Sequence, residues 1–306
     1  TLERRVNGKE LPKVELIDMN KEIGRSKGHF SLPLIEEINK TIERKEQVIL
    51  LLNRRGYSSF VTCSNCGETV KCPNCDITLT YHKSSNILRC HYCGYAIKYE
   101  VTCPKCHEKS LKDLGVGTEK IEEELKEILP KAQVLRMDVD TTSKKGAHKK
   151  LVDTFARGEA DILLGTQMVA KGLDFPNVTL VGVINADTSL MLPDFRSSEK
   201  TFDLLSQVAG RAGRSDKSGK VIFQTFNEEN YAIRYAKEND YKSFYKEEMK
   251  VRKLMKYPPY YYLVSLNISS KDSKLALVVA KKCEKVCHKY LDKTIILGPS
   301  PASIFK

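Results

Sequence analysis

The sequence predicts an α/β fold: a parallel sheet covered by helices on both sides and interrupted by a cysteine-rich insertion. Three observations carry this. Short apolar runs alternate with amphipathic helical patterns from about residue 14 to residue 225, the rhythm of a wound parallel sheet. The run Val48–Leu52 is unbroken and bounded by charge, as in a parallel strand buried on both faces. Eight of the ten cysteines fall between Cys63 and Cys106, inside that rhythm and not before it.

Taken in order, residues 14–19, Val-Glu-Leu-Ile-Asp-Met, alternate as a short strand. Ser31 opens a helix with Leu34, Ile35, Ile38 and Ile42 at three- and four-residue steps. Strand Val48–Leu52 runs into Asn53-Arg54-Arg55-Gly56-Tyr57, and the cysteines follow. Beyond Cys106, Gly115-Val116-Gly117-Thr118 leads into a helix with Ile121, Leu125, Ile128 and Leu129 on one face. Thr118 is its expected N-cap and Pro130 its stop. Val134–Met137 reads as a strand, and Leu151, Val152 and Phe155 as a helix ended by Gly158. Strands Ile162–Leu164 and Val178–Ile184, a helix near Ser198–Gly210 and strand Val221–Thr225 complete the sheet.

From about Asn227 the composition changes. Tyrosines at 231, 235, 241, 245, 257, 260, 261 and 262 stand among lysines and glutamates. A packing role is expected for them ahead of stacking on bases, which needs exposed rings. Leu263–Ile268 reads as a strand. Leu275–Tyr290 reads as a helix whose Cys283 and Cys287 pack in a core, and Ile295–Leu297 opens another strand. The expected organisation is a sheet lobe at 1–59 and 111–227, an insertion at 60–110, and a partial α+β C-terminal domain at 228–306. Thr1, which is not an initiator Met, and Lys306 read as boundaries within a longer chain.

The insertion holds four Cys-x-x-Cys pairs: Cys63/Cys66, Cys72/Cys75, Cys90/Cys93 and Cys103/Cys106. A thiolate pair at that spacing grips one tetrahedral zinc from a tight loop, and two pairs complete a four-sulfur shell, so four pairs imply two Zn2+ ions. Disulfide clusters or buried free thiols are the plainer alternative. Five residues separate Cys66 from Cys72, which is cramped for partners, while fourteen separate Cys75 from Cys90. An inner site of Cys72, Cys75, Cys90 and Cys93 inside an outer site of Cys63, Cys66, Cys103 and Cys106 follows, with a cross-braced pairing as the other option. His82, His91 and His107 are left over as bystanders.

The net charge is +12, which suits a polyanionic partner, most simply nucleic acid, although solvated lysine faces give the same total. The longest apolar run, near Val178–Ile184, is far too short to span a bilayer, and no signal-peptide pattern opens the chain. No membrane partner is expected, and reduced metal-bound cysteines point to the cytoplasm.

Two constellations at strand ends carry chemistry. Gly165-Thr166-Gln167-Met168-Val169-Ala170-Lys171-Gly172-Leu173-Asp174 follows strand Ile162–Leu164 and can offer backbone N–H groups, a hydroxyl and the Lys171 charge to a phosphate. An ordinary βα loop, with glycines needed only for turns, also explains it. Gln207-Val208-Ala209-Gly210-Arg211-Ala212-Gly213-Arg214 puts two arginines on one side of a helix end. There they can reach one anion and stabilise charge on a transferring phosphoryl group. A solvated basic helix end is the bland reading.

Together these stretches resemble lobe 2 of a superfamily 2 helicase, a RecA-like fold. Asn53–Gly56 is similar to that family's motif IV, Gly165–Asp174 to its motif V and Gln207–Arg214 to its motif VI. The two-zinc insertion after motif IV narrows the resemblance to the replication-restart branch of that superfamily. So do Gly-Val-Gly-Thr-Glu at 115–119 and the run from Ala186-Asp187 through Pro193-Asp194-Phe195-Arg196 to Glu199. The resemblance implies that Arg211 and Arg214 act on the ATP γ-phosphate with support from Gln207. It implies that Gly172 and Asp174 lie by the nucleotide, and Arg54, Thr166, Gln167 and Lys171 by the DNA backbone. The implied activity is ATP- and Mg2+-dependent 3′-to-5′ unwinding of DNA at stalled forks, with initiation of primosome assembly. The implied partners are forked DNA, primosome proteins and single-strand-binding proteins.

No Gly-x-x-x-x-Gly-Lys-Ser/Thr stretch occurs in these 306 residues, and no acidic Mg2+ motif stands at a strand end. In the family those parts belong to lobe 1, expected upstream of Thr1. The chain by itself is therefore expected not to hydrolyse ATP. A non-catalytic zinc-ribbon scaffold binding nucleic acid or protein is the rival for these residues alone.

Overall fold

The computed structural model describes residues 12–52, 60–82, 85–113, 118–169, 174–212 and 218–301. The chain forms two compact units. One comprises Thr1–Gly56, Gly115–Leu190 and Arg196–Glu247; the other comprises Tyr57–Leu114, Met191–Phe195 and Glu248–Lys306.

The chain begins with β1 (Lys13–Asp18), α1 (Leu32–Glu43) and β2 (Gln47–Leu51). It then enters the second unit with β3 (Val61–Cys63), β4 (Thr80–His82), β5 (Ile87–Arg89), β6 (Ala96–Lys98) and β7 (Leu111–Asp113). It resumes the first with α2 (Thr118–Ile128), β8 (Val134–Met137), α3 (Val139–Thr142), α4 (Ala147–Ala156), β9 (Ile162–Gly165) and β10 (Val178–Val183). A 3-10 turn at Ala186–Ser189, α5 (Ser197–Ala209), β11 (Lys220–Thr225), α6 (Tyr231–Glu238), α7 (Tyr241–Leu254) and α8 (Ser273–Tyr290) follow.

Six strands pair in parallel in the order β1-β11-β10-β2-β9-β8. The two-residue period of a strand sorts its side chains onto two faces. Val48, Leu50, Ile162, Leu164 and Ile222 pack with Leu34, Ile35 and Ile38 of α1 and with Ile121 and Leu125 of α2. Ile49, Leu51, Leu163, Val181, Val183, Val221 and Phe223 pack with Phe155 of α4, with Phe202, Leu205 and Val208 of α5, and with Ala232 and Ile233 of α6. All five residues of β2 are buried, as its unbroken apolar run requires.

A Cβ on Gly182 would come within 2.7 Å of the Leu50 side chain and 3.1 Å of the Leu34 side chain, so those flexible ends would have to shift to admit it. A Cβ on Gly165 would meet the Met137 carbonyl oxygen at 2.6 Å, so only glycine ends β9 beside β8. Ser31, read as the opening of this helix, is its N-cap, its hydroxyl accepting from the Leu34 N–H at 3.4 Å. The same hydroxyl donates to the buried Gln224 carboxamide at 2.7 Å. Gln224 in turn donates to the carbonyls of His29 and Ile184 at 2.8 and 2.9 Å, tying β11 to its neighbours.

Several expectations are corrected. Thr118 is the first residue of α2, not a cap before it. Its hydroxyl donates at 2.5 Å to Asp138 at the end of β8, where a buried carboxylate needs donors. Burial tends to raise the Asp138 pKa, but hydrogen bonds from Thr118 and Thr141 and the nearby Arg136 hold it below the usual carboxylate range. Residues 263–268 and 295–297 form no strand, and Leu263, Val264, Leu266 and Ile295 are exposed. A strand needs a partner to pair its backbone groups, and the described residues supply none there. Helix α8 has no buried residue, so Cys283 and Cys287 are half-exposed and pack in no core among the described residues.

The compositional change at Asn227 falls before α6, yet Ala232, Ile233, Ala236 and Phe244 belong to the sheet's core. The tyrosines divide accordingly. Tyr231 and Tyr235 pack against that core, while Tyr241, Tyr245 and Tyr260 to Tyr262 are exposed.

Candidate functional site

The four Cys-x-x-Cys turns share one backbone plan. In each, the residue after the second cysteine donates its N–H to the carbonyl of the first. Gly67 donates to Cys63, Asp76 to Cys72, Gly94 to Cys90 and His107 to Cys103, at 2.9, 2.9, 3.0 and 3.0 Å. Each first cysteine also donates to the carbonyl five residues on, at 2.8 Å in all four. Closing so tight a loop forces the residue after the second cysteine into the left-handed region, with φ of 71°, 51°, 81° and 61°. Glycine fills two of these positions. Aspartate and histidine, among the side chains that best tolerate that region, fill the others.

The turns bring the thiols together in two groups: Cys63, Cys66, Cys103 and Cys106, and Cys72, Cys75, Cys90 and Cys93. Within each group the sulfurs lie no more than 4.8 Å apart. β3, which ends at Cys63, and β7, which follows Cys106, join antiparallel with Cys63 opposite Leu111, so the outer group closes the chain's entry to and exit from the insertion. The strands β4 and β5 connect the inner pairs, and β6, after Cys93, completes an antiparallel meander with them.

The geometry fits a metal better than a disulfide. Sulfur separations of 3.5 Å (Cys63–Cys106), 3.7 Å (Cys66–Cys103) and 3.6 Å (Cys72–Cys93) are too long for a bond. They match the edge of roughly 3.8 Å that a tetrahedron of sulfurs has around zinc at ~2.3 Å. Backbone N–H groups point at the sulfurs: Asn65 and Cys66 at Cys63, Tyr92 at Cys90 and Lys105 at Cys103, at 3.3 to 3.4 Å. These donors favour thiolates. The outer group is electrostatically frustrated by itself. Burial, and then the neighbouring thiols, push Cys66 up to about 12, while the Glu108 N–H and the Asn65 side chain bring Cys106 down to about 6. A dication is the group that lets four crowded sulfurs ionise together. No histidine belongs to either cluster.

The sheet positions the remaining candidates. Thr166 and Gln167 follow β9 directly and are half-buried, in a turn closed by the Val169 N–H to the Thr166 carbonyl at 3.1 Å. Asp174 is exposed. Gln207 is exposed in the last turn of α5, and Arg211 follows it, half-buried, its N–H bonded to the Val208 carbonyl at 2.9 Å. Only the first constellation thus follows the carboxyl end of a strand, where open α/β sheets gather ligands. Gln207 and Arg211 instead end the return helix and precede β11. Arg54, Lys171, Gly172 and Arg214 lie outside the described residues.

Comparison with known proteins decides between a helicase lobe and a generic α/β domain. The family model for the PriA DNA helicase Cys-rich region matches residues 72–98, and that for the helicase conserved C-terminal domain matches residues 106–216. The replication restart protein PriA of Bacillus subtilis (strain 168) is 51% identical over 310 residues, covering 99% of this chain and 38% of that protein. The chain belongs to the PriA family. The PriA proteins of Synechocystis sp. and Borreliella burgdorferi are 41% and 38% identical, each over 100% of this chain and 37% and 46% of theirs. The chain therefore spans less than half the length of these relatives. Among solved structures, Mss116p DEAD-box helicase domain 2 bound to an RNA duplex matches at 16% identity and a TM-score of 0.37. That match covers 78% of this chain and 67% of that one, a likeness too loose to carry an argument.

Sequence reasoning missed two features here. One is the left-handed residue after each second cysteine, which the repeated glycines at 67 and 94 could have signalled. The other is Tyr257, whose hydroxyl donates to the Cys75 carbonyl at 2.9 Å and whose pKa is raised, by burial first. Nothing in its local sequence marks it out among the tyrosines.

Proposed function

We propose that this chain is the second motor lobe and zinc unit of an ATP-dependent 3′-to-5′ DNA helicase that restarts stalled replication forks and initiates primosome assembly. The observation that carries the reading is a match along the whole of this chain to part of the PriA proteins at 38 to 51% identity, through both the cysteine region and the helicase domain.

In this reading Arg211 and Arg214 approach the γ-phosphate of ATP held with Mg2+ on a partner lobe, and Gln207 orients them. Gly172 and Asp174 border the nucleotide. Thr166, Gln167, Lys171 and Arg54 hold the DNA backbone, a role suited to a hydroxyl and cations at a strand end. The eight thiols hold two zinc ions, whose chemistry here is cross-linking and not catalysis. The natural partners are forked DNA, primosome proteins and single-strand-binding protein, in the cytoplasm. No helix among the described residues is long and apolar enough to cross a membrane.

In the intact two-lobe protein, Arg211→Ala and Arg214→Ala should each lower DNA-stimulated ATP turnover by on the order of 10³, as for other arginine fingers, with zinc content unchanged. Unchanged turnover would remove both residues from the ATP site. The scaffold reading has one observation in its favour, the lack of a phosphate loop in these 306 residues. DNA-stimulated ATPase by the isolated chain, where none is expected, would break the two-lobe reading.

A further inference from the structure

Five residues of the chain stand apart from their sequence neighbours. Met191–Phe195 lies between the 3-10 turn at Ala186–Ser189 and α5, both in the sheet unit, yet it belongs to the unit that carries the thiols. Each end of the segment is held beside a different thiol group. At one end the Thr62 hydroxyl points at the Met191 sulfur at 3.5 Å, and Met191 is buried. Thr62 immediately precedes Cys63 of the outer group.

At the other end the Phe195 ring stacks on Tyr257, with centroids 4.8 Å apart and planes 14° from parallel. The Tyr257 hydroxyl donates to the carbonyl of Cys75, a member of the inner group. The Arg252 guanidinium also lies 5.3 Å from the Phe195 centroid. Arg252 is itself buried and fixed, donating from Nε to Glu248 at 2.7 Å and from a terminal nitrogen to the Pro258 carbonyl at 3.3 Å. An aromatic stack and a cation over the same ring both favour this placement of Phe195 and help to hold a short segment in place.

Phe195 is followed at once by Arg196, the N-cap of α5. The Arg196 carbonyl accepts the helix's first backbone hydrogen bond, from the Lys200 N–H at 2.9 Å. The other end of α5 carries Gln207 and leads directly to Arg211. A contiguous physical path therefore runs from the Cys75 turn through Tyr257 and Phe195 into the helix of the motif VI residues. Contiguity of this kind is what coupling between sites can use, and it must be measured as coupling.

We propose that Met191–Phe195 is a strap that ties the start of α5 to both thiol groups, so that the metal state of those groups sets the order of the first turn of α5. Phe195 and Tyr257 are positioning residues in this proposal. It rests on the reading of the thiols as zinc ligands and is independent of any role of Arg211 with ATP.

The test is hydrogen exchange on the 306-residue chain, loaded with zinc and then stripped with a chelator, with zinc stoichiometry measured in both states. The reporters are the amides from Lys200 to Phe202, and the amides of α1 serve as the internal reference. Stripping zinc should speed exchange at the reporters roughly tenfold while α1 stays protected, as expected for local and not global opening. In Phe195→Ala the reporters should exchange fast in both states. Phe195→Tyr, which keeps the stack, should restore the zinc response. Tyr257→Phe keeps the ring and loses only the bond to Cys75, so its zinc response should be smaller than that of the unsubstituted chain. This variant decides the matter if Phe195→Ala fails to fold.

Three outcomes would overturn the strap: reporters indifferent to zinc in the unsubstituted chain, an undiminished zinc response in Phe195→Ala or, where that variant does not fold, in Tyr257→Phe, or α1 and α5 opening together. A chain that binds no zinc would sink the zinc reading first and is recognised by its stoichiometry. Loss of the ATP assignment, read from Arg211→Ala turnover, leaves this experiment untouched.

Discussion

The sheet unit buries Phe155, Phe223, Leu50 and Leu51 completely, between six strands and the helices on both faces. The thiol-bearing unit has strands of three residues each, and its buried cluster consists of Val61, Ile77, Leu79, Leu88, Leu111 and five of the cysteines. A sheet that long removes enough apolar surface from water to hold its shape. A module that small cannot, and needs cross-links in place of a core. The two parts of one chain should therefore fail under different insults.

Metal removal should show the difference most strongly. A structural zinc in a small module contributes on the order of 10 kcal/mol of folding free energy. Stripping both ions should unfold the β3–β7 module while the β1–β11 sheet keeps its circular dichroism and exchange protection. Cys72→Ser should lower bound zinc from two ions to about one; loss of both or of neither would contradict two separate sites.

The mirror experiment is Phe223→Ala, which opens a cavity between β11 and the helices. It should cost about 3–5 kcal/mol in urea unfolding of the sheet unit with zinc content unchanged. A fall in zinc content would show that the two parts do not fail independently.

Asp187 sharpens the comparison through pH. It is almost fully buried, and burial, with help from the charge on Asp18, pushes its pKa up to about 6 against the bonds it accepts from Phe226 and Thr225. The folded state then binds the proton more tightly than the unfolded chain, whose carboxyl titrates near its ordinary value of 3.8. The Asp187 contribution to stability is therefore fully present below about 4 and falls as pH rises to about 6. Asp187→Asn should flatten that slope at a cost of about 1–3 kcal/mol, because an amide cannot accept both bonds. An unchanged slope would reassign it to another group.

The smallest effects are in the zinc turns. Gly67→Ala places a side chain at a φ of 71° and should cost about 1–2 kcal/mol. Asp76→Gly at the equivalent place should leave zinc affinity and stability within about 0.5 kcal/mol, since backbone relief and lost chain stiffness oppose each other. A large loss on Asp76→Gly would mean that its side chain has a role beyond tolerating the turn.

Much of this was legible beforehand because it is local or periodic. The strand and helix patterns around Val48, Ile121 and Phe155, and the helix opening at Ser31, follow from side-chain spacing along a single element. The eight cysteines announced their chemistry by spacing, and loop length separated an inner from an outer pairing. Thr118 was misjudged because its hydroxyl serves Asp138, a partner twenty residues away that only the packing of α2 on β8 supplies. Leu263–Ile268 has the composition of a strand, but composition cannot provide the neighbour that a strand must pair with.

What the sequence determined by itself is a parallel α/β lobe, an insertion at the end of its β2 strand, eight thiols at metal-ligand spacing and the motifs that resemble a helicase lobe. Each of these is written in residue type and short-range spacing. The tertiary structure decided what distant residues mean to one another: that Gln224 knots β11 to Ser31, that Gly165 leaves room for the Met137 carbonyl, and that Phe195 meets Tyr257 beside a Cys-x-x-Cys turn. Such contacts join residues tens to nearly two hundred positions apart, and no pattern along the chain encodes them. Burial and close packing select them only once the elements have come together.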